Sequence, residues 1–376
     1  MIVQENVSLK HLNTFGIYFS VDHYVVVDSL SVLKTLSEEK KLLKNKIQVG
    51  GGSNILCIDT QLHATLIHNQ LKGRKIVKEN DAHVWVEIMA GETWHDFVLY
   101  AIENNWGGVE NLSLIPGTVG AAPIQNIGAY GVEVSHCIEE VRAWNWNDKE
   151  FMKFKKEDCK FGYRTSIFKE KWKQKILITS VIFKLDKQHH FNTTYGAITQ
   201  ELDKMEITTL SIKAISDAVI HIRKSKLPNP AEIGNAGSFF KNPTIKLTQF
   251  KELQKEHTLI PSYAVDAQHV KVPAGWLIEQ CQWKGKKVGA CGVHKDQALV
   301  IVNYGKANGK EIYELSEAII QDVQSKFNIL LEREVQILSN SMKKNHLKKV
   351  KQHRSQCLRF LLIQTKLSHA STPQFA

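Results

Sequence analysis

Gly50-Gly51-Gly52-Ser53-Asn54 runs directly out of the β-rich stretch Ile47 to Val49. Consecutive glycines let main-chain N–H groups converge on an anion with no Cβ in the way, and Ser53 and Asn54 add side-chain donors. Such a pattern suits the cradling of a phosphate, with a tight hairpin turn as the equal alternative. It is not the Rossmann fingerprint, because Ile55 stands where the third glycine would fall, and it does not end in Gly-Lys-Ser/Thr. A second segment, Ser113 to Val132, sets glycines and prolines among apolar residues and follows neither the helical nor the strand period. Loops this long inside compact domains are usually functional, although a plain crossover reads the same way. Together the two segments could clasp one extended dinucleotide, the first at its pyrophosphate and the second beside its rings, in a domain unlike Rossmann.

Holding two such loops takes a mixed α and β framework. Tyr24 to Val27 and Val84 to Met89 read as strands, Leu30 to Lys41 as a helix, and Ala90-Gly91-Glu92-Thr93 leads into a helix from Trp94 to Asn105. Ser211 caps an amphipathic helix with Ile212, Ile215, Val219 and Ile222 on one face, ended before Pro228. Gly309 to Phe327 is another, and it feeds the strand-like Val335 to Leu338. The change from β-rich to helix-containing sequence predicts a domain boundary near 205–210, with the compact body ending near 340.

Composition narrows the classes. A chain of 376 residues with 43% hydrophobic and 23% charged side chains has length for about two to three folded domains, and no apolar run approaches the length of a membrane span. The net charge of +11 suggests an anionic partner until it is located: eight basic and no acidic residues lie in 341–376, which leaves residues 1–340 at +3. A nucleic-acid reading would thus rest on the tail alone. For that tail three accounts stay open: a disordered basic extension, sequence appended by a frame error, or a tether to nucleic acid or an anionic membrane. Six cysteines without a Cys-x-x-Cys pair, and no His cluster at ligand spacing, predict free thiols and no metal. The N-terminus lacks the pattern of a secretory signal, so cytoplasm is the expected address.

Asn13-Thr14-Phe15-Gly16, the Gly50 to Leu56 loop, Ala90-Gly91-Glu92-x-Trp94, Ser113-x-Ile115-Pro116-Gly117-x-Val119-Gly120-Ala121, Pro123 to Gly131, Gly162-Tyr163-Arg164-x-Ser166-x-Phe168-Lys169 and Gly234 to Pro243 occur in that order. Over roughly residues 5–340 the chain resembles the UDP-N-acetylenolpyruvoylglucosamine reductases, the MurB family, flavoenzymes of bacterial peptidoglycan synthesis. Tyr195, in Thr194-Tyr195-Gly196, resembles the tyrosine of the class with an inserted Tyr loop.

The resemblance implies an α+β fold: a two-subdomain FAD-binding domain of the vanillyl-alcohol-oxidase (PCMH) type over residues 1–65 and 66–205, a substrate-binding domain over 206–340 whose last strand returns to the active site, and the basic tail 341–376. It implies that NADPH reduces non-covalent FAD and leaves, after which the enolpyruvyl UDP-sugar takes a hydride and a proton to give UDP-N-acetylmuramate. A monomer, with no nucleic acid, membrane or metal, is expected. Arg164 matches the family's catalytic arginine, Ser238 its proton donor and Glu334 its acidic partner. By residue type alone Arg164 reads as a surface or ion-pair residue and Ser238 as a turn former, while Glu332 would share a strand face with Glu334. The implied FAD positions are Gly50, Gly51, Gly52, Ser53, Asn54, Ile55, Ser113, Pro116, Gly117, Thr118, Gly120, Ala121, Gln125, Asn126, Gly128, Ala129, Tyr130 and Arg223. Substrate positions are Tyr163, Tyr195, Lys226, Asn242 and Gln297. Gln336 departs from the pattern, standing where many relatives have Arg, which removes a positive charge near the flavin. Two rivals remain: a flavin oxidase of the same fold acting on another substrate, and a basic-tailed binding protein with a decayed enzyme core.

Overall fold

A computed structural model describes residues 1–341, so the basic tail lies outside the described residues except for Ser341. Five strands open the chain: β1 (Val3–Ser8), β2 (Ser20–Val27), β3 (Lys46–Val49), β4 (Ile55–Cys57) and β5 (Gln61–Asn69). Four of them form a sheet in the order β1-β2-β5-β3, with β5 parallel to both β2 and β3. The expected division at residue 65 falls inside β5, so the first subdomain's sheet closes only at Asn69. The helix expected over Leu30 to Lys41 is two: α1 (Leu30–Glu38) and α2 (Lys40–Leu43), because Glu39 leaves helical dihedrals and turns its N–H back to Leu36.

The second sheet is antiparallel throughout, in the order β11-β10-β12-β7-β6, from β6 (Arg74–Glu79), β7 (His83–Met89), β10 (Ile138–Asn145), β11 (Glu150–Lys155) and β12 (Ile176–Asp186). β7 buries alternate residues, Val84, Val86 and Ile88, as period-two sequence should. Central β12 is apolar on both faces: Val181, Phe183 and Leu185 join α3 (Trp94–Glu103), while Leu177 packs with Trp144 and α1 of the first subdomain. Helix α3 stops short of the expected Asn105, which is held in the left-handed region at φ 59°. The aperiodic Ser113 to Val132 stretch contains a 3-10 turn over Val119–Ala121 and the short hairpin β8 (Gly128–Ala129) and β9 (Val132–Glu133).

Two helices follow, α4 (Gly196–Lys204) and α5 (Ile212–Lys226); Ser211 Oγ caps the latter by accepting the Ala214 N–H. These helices share one apolar cluster, and α5 also packs on the Glu110–Leu112 turn through the Ser216–Ser113 hydroxyl pair. By packing, α5 therefore sits with the second sheet rather than with the later domain that a boundary near 205 assigns it to.

Beyond α5 the chain builds a sheet of β13 (Gly234–Ser238), β17 (Lys287–Val288), β18 (Cys291–Val293) and β19 (Val300–Asn303) in the order β13-β19-β18-β17. A small sheet of β14 (Thr244–Lys246), β15 (Tyr263–Ala264) and β16 (His269–Lys271) stands beside it, with helices α6 (Leu247–Glu256), α7 (Ala274–Gln280) and α8 (Gly309–Phe327). Their common core takes in Phe15 and Ile17 from the segment between β1 and β2, and Leu56 of β4, so it reaches back to the N-terminal part of the chain. The last strand, β20 (Gln336–Leu338), pairs in parallel with β4, directly after the Gly50–Asn54 loop. That pairing carries Glu334 to the glycine loop.

Candidate active site

The two glycine-rich loops touch. A side chain at Gly50 would overlap Thr118 Oγ1, and one at Gly51 would lie 3.3 Å from Gly117 Cα. Gly52 adopts φ +66°, with the Leu12 carbonyl where a Cβ would be, so only glycine fits. Between the loops runs a cleft lined by Gly50 to Ile55, Pro116 to Thr118, Ala121, Gln125 and Gln336. Among the described residues the N–H groups of Gly51, Gly52 and Ser53 donate to no protein acceptor. Unpaired amides converging in a glycine cradle are the donor set of an anion site.

One wall of the cleft reaches the predicted catalytic pair. Asn54 Nδ2 donates to Gln125 Oε1 (3.1 Å) and to the Glu334 carbonyl (3.3 Å), and Gln125 Nε2 donates to Glu334 Oε1 at 3.3 Å. Arg164 Nε lies 3.1 Å from that same carboxylate oxygen. The guanidinium is further fixed by the Gly128 carbonyl (2.7 Å) and the Asn126 carbonyl (3.5 Å). Burial pushes the Glu334 carboxyl above its ordinary value, against the pull of Arg164, Lys169 and Lys241. Glu332, the alternative, pairs instead with Lys241 (2.5 Å), its side chain largely in solvent. Geometry thus separates two glutamates that strand parity could not.

Ser238 ends β13 opposite Val300 of β19. Its neighbour Phe239 is fully buried, donates its N–H to the Leu299 carbonyl and accepts the Glu334 N–H at 2.8 Å, which fixes Ser238 beside the Glu334 segment. The Ser238 hydroxyl has no hydrogen-bond partner among the described residues. Tyr163 stands near Asn242, whose Oδ1 accepts the Ala274 N–H at the start of α7. Gln297 accepts the Leu299 N–H (3.4 Å), and its Oε1 would lie 3.7 Å from a Cβ at Gly275 of α7.

A second group stands around Tyr130, whose ring meets Tyr195 edge-on at 5.4 Å and whose hydroxyl lies near the Arg223 guanidinium. Arg223 Nε donates to the Leu114 carbonyl (3.2 Å), bracing the second loop where it begins. Lys226, one turn on, is exposed, and among the described residues it makes no side-chain hydrogen bond or ion pair.

Two expected cofactor side chains face inward instead. Ser113 is completely buried, donating to the Glu110 carbonyl and pairing with Ser216. Asn126 donates to Glu133 and the Gly162 carbonyl and accepts the Ser135 N–H, so no polar atom of its side chain is left for a ligand. Both hold the loop's shape. Sequence reasoning passes over Lys169, which lines a pocket adjoining the cleft, and Lys271, whose ammonium sits 3.5 Å from the centre of the Tyr163 ring. Lys169 closes the Gly162–Lys169 motif and could have been found there; Lys271 carries no signal of its own.

Comparisons with known proteins agree with this division of the chain. Residues 31–151 match the model of a FAD binding domain, and residues 229–338 match that of the UDP-N-acetylenolpyruvoylglucosamine reductase C-terminal domain. The proteins so named from Flavobacterium johnsoniae and Amoebophilus asiaticus are each 50% identical to this chain, covering 90% of it and 100% of their own length. The crystal structure of MurB from Thermus caldophilus superposes with a TM-score of 0.63 at 24% identity, over 90% of this chain and all of that one. A FAD-binding domain outside the Rossmann type, joined to a second α+β domain whose last strand returns to the glycine loop, defines a two-domain flavin-dependent oxidoreductase. Within that class, the chain belongs to the UDP-N-acetylenolpyruvoylglucosamine reductase (MurB) family.

Proposed function

We propose that Arg164, Ser238 and Glu334 carry out the family's reaction in this chain, an FAD-dependent reduction of UDP-N-acetylenolpyruvoylglucosamine to UDP-N-acetylmuramate with NADPH as reductant. The observation that carries the residue assignment is the Arg164–Glu334 pair, joined through Gln125 and Asn54 to the glycine-lined cleft. The cradle fits the cofactor: its loop amides are unpaired among the described residues, as an anion's donors must be, and the two loops meet so closely that a Cβ at Gly50 would overlap Thr118 Oγ1. Bound there, FAD would supply the hydride chemistry that links NADPH to the enolpyruvyl double bond. Gly51, Gly52 and Ser53 would hold the pyrophosphate. Arg164, a rigid fork, binds the substrate carboxylate on which negative charge grows. Glu334 orients that guanidinium, and the free Ser238 hydroxyl delivers the proton to the carbon next to the one receiving hydride.

Tyr195 and Lys226 are assigned to the nucleotide diphosphate, as in the Tyr-loop class, with Asn242, Gln297 and Tyr163 shaping the floor of the sugar site. The active unit is assigned as a monomer. Both nucleotides are metabolites of the cytoplasm, which supports that location, and no helix among the described residues is long and apolar enough to cross a membrane.

The test of the function is the visible spectrum of anaerobic protein. NADPH bleaches the flavin, and the enolpyruvyl UDP-sugar restores it; bleaching without restoration would reject the substrate. Gly50→Ala tests the cradle. Overpacking of this kind costs about 1–3 kcal/mol, so FAD retention is expected to weaken by roughly tenfold or more. Thr118→Ala, which removes the overlapping Oγ1, should recover part of it; FAD-to-protein absorbance after dialysis is the measure.

A further inference from the structure

Lys169 is half-buried, and burial together with the nearby Lys241 pushes its pKa below the ordinary lysine value. Among the described residues it pairs with no carboxylate. What the ammonium does touch is telling. It donates to the main-chain carbonyl of Arg164 at 3.1 Å, and Arg164 is held in the left-handed region at φ +54°. A non-glycine residue stays there only when its surroundings over-determine it. Lys169 also lines, with Phe168, a pocket that adjoins the cleft and shares Gly50, Thr118 and Gln336 with it, and it is one of three cations acting on Glu334.

We infer that Lys169 is a positioning residue of the reaction, which locks the Arg164 main chain in its turn and keeps the facing Glu334 ionised, so that guanidinium and carboxylate remain a fixed pair. The inference rests on the proposed roles of Arg164 and Glu334.

The groups facing Glu334 show why a cation is needed. Arg164 and Lys169 act on it from the Gly162–Lys169 segment and Lys241 from the segment after β13, while Gln125 donates to its Oε1, the neutral Tyr163 lies nearby, and Asn54 reaches only its main-chain carbonyl. Lys241 is already paired with Glu332, and Arg164 also serves two carbonyls. Without Lys169 the burial of Glu334 goes less opposed, its carboxyl takes up a proton at higher pH, and the carbonyl of Arg164 loses its clamp.

The experiment uses FAD-loaded Lys169→Met and Lys169→Gln, with Glu334→Gln as reference, in anaerobic stopped flow from mildly acidic to mildly alkaline pH. Lys169→Met should keep its FAD absorbance and bleach with NADPH at a near-normal rate. Its reoxidation by the enolpyruvyl UDP-sugar should slow on the order of 10²-fold, the cost of a misplaced reacting group. The acid limb of that step should move to higher pH in both Lys169 variants, while Lys169→Gln, still able to donate to the Arg164 carbonyl, slows less than Lys169→Met. Slow reoxidation with an unmoved limb would reduce Lys169 to scaffolding, and lost FAD or an equally slowed NADPH step would assign it to the cofactor; either overturns the inference. If Glu334→Gln reoxidises normally, the parent assignment fails; if Glu334→Gln is slow and Lys169→Met is not, only the inference does.

Discussion

Ser238→Ala should leave NADPH-driven bleaching of the flavin near its normal rate and slow reoxidation by the enolpyruvyl UDP-sugar by about 10²–10⁴-fold, the range for losing a general acid. The split follows from what the substitution removes. Ser238 is held by main-chain bonds, opposite Val300 and next to a Phe239 whose N–H and carbonyl are both engaged, so alanine keeps the strand. Only the hydroxyl goes, and that hydroxyl has no other partner among the described residues. Reduction by NADPH needs no proton at the sugar carbon; reduction of the sugar does. With no acid on one face, solvent protonates the enolate-like carbon from either side, and the product should become a mixture of epimers at that carbon, visible by NMR. A single epimer formed at a normal rate would remove Ser238 from the mechanism, and equal slowing of both halves would make it structural.

Much of this architecture was legible in the sequence because its signals are local. Ser211 before an apolar period of 3.6 is a cap and a helix, and the alternation in Val84 to Ile88 is a half-buried strand. The glycine loops were legible as loops, but their mutual contact was not, since nothing local says that Gly50 lies on Thr118. Ser113 and Asn126 show the opposite limit. Their motif marks positions that matter without saying whether the side chain faces the ligand or the core, and both serve the loop from behind. Period two placed Glu332 and Glu334 on one face. What separates them is the partner each meets, Lys241 for the first and Arg164 with Gln125 for the second, and those partners arrive from far along the chain. Gln336 lines the cleft, where a charge difference bears on whatever occupies it.

Arg164→Lys is the second large effect, and it is expected to move chemistry and stability together. The arginine spends its fork on three acceptors at once: Glu334 through Nε, and the Gly128 and Asn126 carbonyls through its terminal nitrogens. A lysine offers one point charge on a shorter reach and cannot hold a carboxylate while keeping those partners. Substrate-driven reoxidation should fall on the order of 10²–10³-fold, the scale of losing one preorganised donor to developing charge. The pH behaviour provides the independent check. Burial raises the Glu334 pKa in the folded protein, so the folded state binds that proton more tightly than the unfolded chain does. The resulting stability is full below the ordinary carboxylate value and is lost as pH rises through the raised one. Weakening its nearest cation raises the Glu334 pKa further, so the Tm of Arg164→Lys should fall more steeply with rising pH than that of the parent. Glu334→Gln, which has no proton to lose there, should lack this part of the slope. Thermal unfolding of the FAD-loaded proteins across that range reads all three, and indistinguishable slopes for the parent and Glu334→Gln would mean that Glu334 is as ordinary an acid as one in water.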